Sequence, residues 1–194
     1  MGWVTLSLRK RELKQEHQYY QLRDLQISRE KRALARRKSY EMAVIQADQK
    51  KDENAVKSQY DYSNILTEIS NLRSQLTSET SFKEKATSDE GTMDFNGTSY
   101  NNYTDYNTAI NNEISKKQND YQDMIVKRTE AINDVKTQYD NKKAELEEEV
   151  GDQETELEME QVDIETQMEA ISEELKAVSD AISSEIQSST IKLA

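Results

Sequence analysis

Apolar residues in this chain recur at three- and four-residue intervals over most of its length. Leu6, Leu13, Tyr20, Ile27 and Leu34 fall seven residues apart, with Leu22 and Leu25 on an adjacent line. The pattern loosens through Tyr40, Val44, Ala47 and Ala55, then sharpens at Ile65, Ile69, Leu72 and Leu76. After a polar stretch it resumes as a looser stripe through Ile110, Ile114, Tyr121, Met124, Ile132, Val135 and Tyr139, continues at Leu146, Val150 and Leu157, and tightens at Ile164, Met168, Ile171, Leu175, Val178 and Ile182. Alternating steps of four and three are the spacing of a helix-pairing seam, because seven residues make nearly two helical turns. The spacing therefore predicts an all-α chain: a long helix over 10–77, kinked or straight, and a second over 108–190. Joined by the stretch between them, the two form a long antiparallel helical hairpin or coiled coil with a polar loop at its tip. Gly151 falls inside the second helix, where either a hinge or a continuous helix satisfies the pattern.

Two segments depart from the helical period. Over 1–9, Val4, Leu6 and Leu8 alternate with Thr5 and Ser7, which is the two-residue period of an extended strand. With Trp3 beside it, this piece reads as an extended N-terminal docking arm. Residues 78–107 are rich in Ser, Thr, Asn, Gly and Tyr, and hold the turn pair Asn96-Gly97. They read as a loop in which Tyr100, Tyr103 and Tyr106, spaced by three, either form an adhesive patch or pack onto the helix tips.

Composition agrees with helices that need partners. Apolar residues are 34% of the 194, well below the roughly 45–50% of globular domains, so one chain is short of core. There is no proline, the residue that breaks helix interiors. The charge is polarised: residues 1–50 carry 12 Lys and Arg against 6 Asp and Glu, whereas 151–194 carry 2 against 12. An antiparallel hairpin lays the basic part beside the acidic part. The same polarity can act between neighbouring copies.

Candidate chemistry is sparse. With no cysteine and a single histidine, His17, thiolate sites and multi-histidine metal sites are excluded, and no catalytic residue, cofactor or metal is expected. Glu147 to Glu149 and Glu154, Glu156, Glu158 and Glu160 read as a solvated acidic face. Thr92, Asp94, Asn96 and Gly97 imitate a calcium loop only in part, since Tyr103 stands where a bidentate carboxylate is required. Asn96-Gly97-Thr98 and Asn102-Tyr103-Thr104 fit a glycosylation triplet without a secretory signal. No apolar run approaches the roughly 18 residues of a membrane span. The basic patch Arg29, Lys31, Arg32, Arg36, Arg37 and Lys38 could follow nucleic-acid phosphates, but an overall charge of −12 favours pairing with acidic helices.

These features predict a non-enzymatic structural or assembly protein, a rod-like subunit of a larger homo- or hetero-oligomeric particle that pairs with itself, with other assembly proteins or with both, a homo-oligomer being expected. Its expected setting is a bacteriophage virion, assembled in the host cytoplasm. A secreted needle-like filament subunit and a nucleic-acid-associated protein are the alternatives.

Overall fold

The computed structural model describes residues 2–88 and 91–191. Met1 of the expected arm and residues 89–90 of the expected loop lie outside the described residues. The chain is all-α with one small hairpin. Its elements are α1 (Trp3–Gln59), α2 (Ser63–Gln75), α3 (Glu79–Ser88), β1 (Met93–Phe95), β2 (Thr98–Tyr100) and α4 (Tyr103–Ile191). They divide into two compact units, one of Met1–Ile45 with Asn141–Ala194 and the other of Gln46–Asp140.

In the first unit the leading part of α1 lies antiparallel to the trailing part of α4. Leu13, Ile27 and Leu34 on α1 and Leu146, Val150, Ile164 and Ile171 on α4 are buried. Leu34, Leu146 and Val150 form a cluster capped by Met42, Ile45 and Leu157. The seven-residue line of α1 begins at Leu6, which is half-buried. Residues 3–9 are thus helical and not an extended arm. Thr5 and Leu6 donate their amides to the Gly2 carbonyl, and the Ser7 hydroxyl donates to the Trp3 carbonyl at 2.8 Å. A lone strand would leave its backbone donors and acceptors to water alone, and the two strands among the described residues pair with each other, so the helix that satisfies these groups internally wins over the short alternation. Gly151 sits inside continuous helix, its carbonyl accepting from the Thr155 hydroxyl at 2.8 Å.

The second unit holds the end of α1, α2, α3, the hairpin and the leading part of α4. The expected helix over 10–77 is two helices, α1 and α2, with a break at 60–62. Asp61 makes the break: its Oδ1 accepts the Ser63 amide at 3.0 Å, a local bond that competes with helical pairing. Hydrogen bonding from Ser63 holds the Asp61 carboxyl below its usual range. Tyr62 stacks edge-on against Tyr121 with ring centroids 5.1 Å apart, and the Arg128 guanidinium lies 5.2 Å from the Tyr62 ring centre.

The stretch 78–107 is largely ordered structure where a loop is expected. The Ser78 hydroxyl accepts the Ser81 amide at 3.2 Å, capping α3, and places Phe82 and Ala86 four apart on its buried face. Asn96 and Gly97, at φ +49° and +76°, supply the two left-handed residues of a tight hairpin turn. The strands pair antiparallel with Met93 opposite Tyr100 and Phe95 opposite Thr98. Asn102 starts α4 five residues before the expected boundary, its Oδ1 accepting the Asp105 amide at 2.8 Å. Ile69, Leu72, Phe82, Ala86, Phe95, Tyr106, Ile110 and Ile114 close over one another as this unit's core.

Candidate interaction surface

The two helices of the first unit are held in register by polar pairs that flank the buried line. Arg9 grips Glu174 with two bonds, Nε to Oε1 at 2.8 Å and Nη2 to Oε2 at 3.0 Å. Arg23 grips Glu160 in the same way at 2.6 and 2.7 Å. Lys10 donates to the Ser179 hydroxyl and Lys31 to Gln161 Oε1, each at 2.8 Å, and Arg37 reaches Glu149 at 2.9 Å as well as Glu41 at 2.7 Å. Hydrogen bonding to these carboxylates raises Arg9 and Arg23 above the usual guanidinium range and holds Glu174 and Glu160 below the usual carboxylate range. Two-pronged arginine pairs fix geometry. Being partly open to water they add little stability, so they select direction and register.

The opposite sides of both helices are exposed. On α1 the outward line runs Val4, Leu8, Arg11, Gln15, Gln18, Leu22, Leu25, Arg29, Arg32 and Arg36, in alternating steps of four and three, and every one of these residues is exposed. On α4 the outward line runs Glu148, Asp152, Thr155, Met159, Val162, Thr166, Glu169, Glu173, Lys176 and Asp180, with the same steps and the same exposure. Each line carries an apolar pair near its middle that water touches over more than half its surface: Leu22 (61%) and Leu25 (55%), Met159 (59%) and Val162 (60%). Arg11, Arg29, Arg32 and Arg36 make no ion pair among the described residues, and neither do the five acidic side chains of the α4 line.

This divides the basic patch. Lys31 and Arg37 face α4 and are bonded to it, Lys38 is half-buried, and Arg29, Arg32 and Arg36 face outward. The residues of the expected docking arm split similarly: Trp3, Val4 and Leu8 are exposed on a helix while Leu6 turns inward. Of the expected pairing seam, Ile164 and Ile171 are buried, and Met168, Leu175, Val178 and Ile182 are half-buried. In the second unit Ile69 and Leu72 are buried and Ile65 packs against them. Leu76 leaves the seam, because α2 ends at Gln75 and Leu76, at ψ 133°, turns away with 37% of its surface exposed. Lys117 donates to Glu68 at 2.7 Å across that unit, which raises its ammonium above the usual range.

The tyrosines pack inward. Tyr106 is buried between Phe82, Phe95 and Tyr100, with ring centroids 5.6 to 6.5 Å apart, and burial pushes its hydroxyl up. Tyr100 and Tyr103 are half-buried against the same cluster. Asn107 ties the unit together with its amide group, Nδ2 donating to the Thr77 carbonyl at 2.9 Å and Oδ1 accepting the Thr77 amide at 3.4 Å. Tyr139 donates to Asp52 Oδ2 at 2.6 Å, and this bond, with burial, pushes its hydroxyl up to about 12.

His17 lines a shallow groove with Asp24, Leu25, Glu165, Met168 and Glu169. Asp24 Oδ1 is buried there without a hydrogen-bond partner. Among the described residues no three His, Asp or Glu side chains are grouped to hold a metal ion, and no helix is long and apolar enough to cross a membrane.

Arg11, Met159 and Val162 stand outside the seams that the apolar spacing marks, and their signal in the sequence is a second four-three line opposite the first. Compared with known proteins, the chain matches no family model, no curated protein and no solved structure.

Proposed function

We propose that this chain is a non-enzymatic structural or assembly protein, a helical subunit of a larger homo- or hetero-oligomeric particle, and that the particle is a bacteriophage virion. The observation that carries the reading is the pair of outward lines in the first unit, where Leu22, Leu25, Met159 and Val162 stand in water among unpaired charges. Apolar side chains grouped on a face and rimmed by charge mark a surface that another protein covers. Residues 3–9 are helical and not an extended arm, and exposed Trp3, Val4 and Leu8 add apolar surface at that end of α1.

Mass spectrometry of virions purified from an induced culture of the source should find the chain among the structural proteins. Its absence from every particle fraction, together with a monodisperse monomer that associates with nothing, overturns the proposal. Arg11, Arg29, Arg32 and Arg36 also favour a second reading, contact with nucleic-acid phosphates. Fluorescence anisotropy with labelled DNA and RNA at low salt tests it: binding that falls steeply as salt rises supports that reading, and no binding dismisses it.

A further inference from the structure

Resting on the reading of the chain as an assembly subunit, we infer that the occupant of the outward face of α1 is the outward face of α4 from a second copy of this chain. The two lines complement one another over their central stretch, from Leu8 to Arg36, when set antiparallel. Leu22 then meets Val162 and Leu25 meets Met159, placing the two apolar pairs together. On one side of that centre Arg32 meets Asp152 and Arg36 meets Glu148. On the other Arg11 meets Glu173 and Gln15 meets Glu169. All of these side chains are exposed, and none of the charged ones has an ion-pair partner among the described residues.

The register is specified. Sliding one line by a heptad in one direction sets Leu25 on Asp152 and leaves Met159 and Val162 facing glutamines. Sliding it in the other direction sets Leu22 on Glu169 and buries Arg29 and Arg32 against Val162 and Met159. Placing a carboxylate on a leucine strips water from a charge without pairing it. The parallel alignment keeps the apolar centre and sets Leu8 against Glu145, whereas the antiparallel one sets Leu8 against the aliphatic stem of Lys176 and has its one carboxylate on an apolar residue, Asp180 on Val4, at the open end of the contact. The antiparallel alignment also repeats the direction in which α1 and α4 already pair within the chain.

The charge balance points to self-association as well. Residues 1–45 hold 11 Lys and Arg against 5 Asp and Glu, and residues 141–194 hold 4 against 16. Pairing within the chain leaves an outward basic line on one helix and an outward acidic line on the other. The contact runs from Val4 to Arg36, about 48 Å of helix at 1.5 Å per residue. Because one face meets a different face, each added copy leaves one α1 face and one α4 face open, so the contact builds a ring or an open row of copies lying in the same direction.

A charge swap tests this on the full chain. Arg32→Glu with Arg36→Glu makes one variant, and Glu148→Lys with Asp152→Lys makes the other. Sedimentation velocity across micromolar concentrations should show the wild type assembling, and each variant alone weakened by about a hundredfold as attraction becomes repulsion. An equimolar mixture of the two should assemble again, because each reversed face then meets its complement. Since all four positions are exposed, helical circular dichroism should stay unchanged in both variants.

Variants that assemble like the wild type overturn the inference. So does restoration by Glu169→Lys with Glu173→Lys in place of the Glu148 and Asp152 pair, which would show the parallel alignment. A wild-type chain that stays monomeric alone yet is found in purified virions overturns this inference and leaves the assembly reading standing, its outward faces then belonging to a different protein. The absence of cysteine permits an independent check. Arg11→Cys on one copy should form a disulfide with Glu173→Cys on another, and crosslinking to Glu148→Cys instead would refute the alignment.

Discussion

Leu13 and Leu22 lie on the same helix, nine positions apart, and make the same substitution report opposite things. Leu13 has none of its surface exposed and Leu22 has 61%. Changing Leu to Ala removes three carbons, worth about 2.4 kcal/mol when fully buried at about 0.8 kcal/mol each. Deep cores add a cavity cost that lifts the range to 2–5 kcal/mol. The seam around Leu13 has only two helices for walls, so collapse relieves most of that term and the expected loss for Leu13→Ala is about 3 kcal/mol. For Leu22→Ala the loss from burial is small, and alanine's slightly better helix propensity offsets it, leaving a change within about 0.5 kcal/mol.

Urea unfolding followed by far-ultraviolet circular dichroism, in the Arg32→Glu, Arg36→Glu background where copies should not associate, measures both. The midpoint should fall clearly for Leu13→Ala and stay put for Leu22→Ala, with similar slopes. In the wild-type background Leu22→Ala should instead weaken self-association. Equal losses for the two in the unassociated background would refute the assignment of inner and outer lines.

The glycines give a second contrast. Gly97 has φ +76° and Gly151 is helical, and a Cβ added at either meets nothing within 4 Å. Gly97→Ala should therefore destabilise by about 1 kcal/mol through backbone strain alone, and Gly151→Ala should stabilise by about 1 kcal/mol, both read from thermal unfolding; a gain at Gly97 would contradict the hairpin turn. Tyr139 sets an alkaline limit. Its folded hydroxyl titrates near 12 against 10 when unfolded, so the contribution of its bond to Asp52 is present below pH 10 and lost as pH rises toward 12. Tyr139→Phe should flatten that part of the stability-against-pH curve, and an unchanged curve would show that the bond is not formed.

The helical class is written in the sequence because heptad spacing over many turns leaves few other ways to bury the same side chains. Ile164, Ile171, Ile69 and Leu72 belong to such runs and are buried. Short-range signals were less decisive. The alternation of Val4, Leu6 and Leu8 lost to the backbone's need for partners, which an extended segment finds only in a neighbouring strand and a helix finds within itself. The polar stretch 78–107 hid a core, since α3 rests on just Phe82 and Ala86 and a serine cap, and these mean little until Tyr106 and Ile110 are brought over them.

The sequence by itself determined that α1 carries two apolar lines, through Leu13 and through Leu22, and that its charge opposes that of α4. Which line turns inward was decided only by tertiary structure. A leucine carries the same local preference on either face, and the choice rests on which face meets Val150, Ile164 and Ile171 while leaving Arg9 and Arg23 able to reach Glu174 and Glu160. Packing one line is what leaves the other in water, and with it the surface available to a second copy.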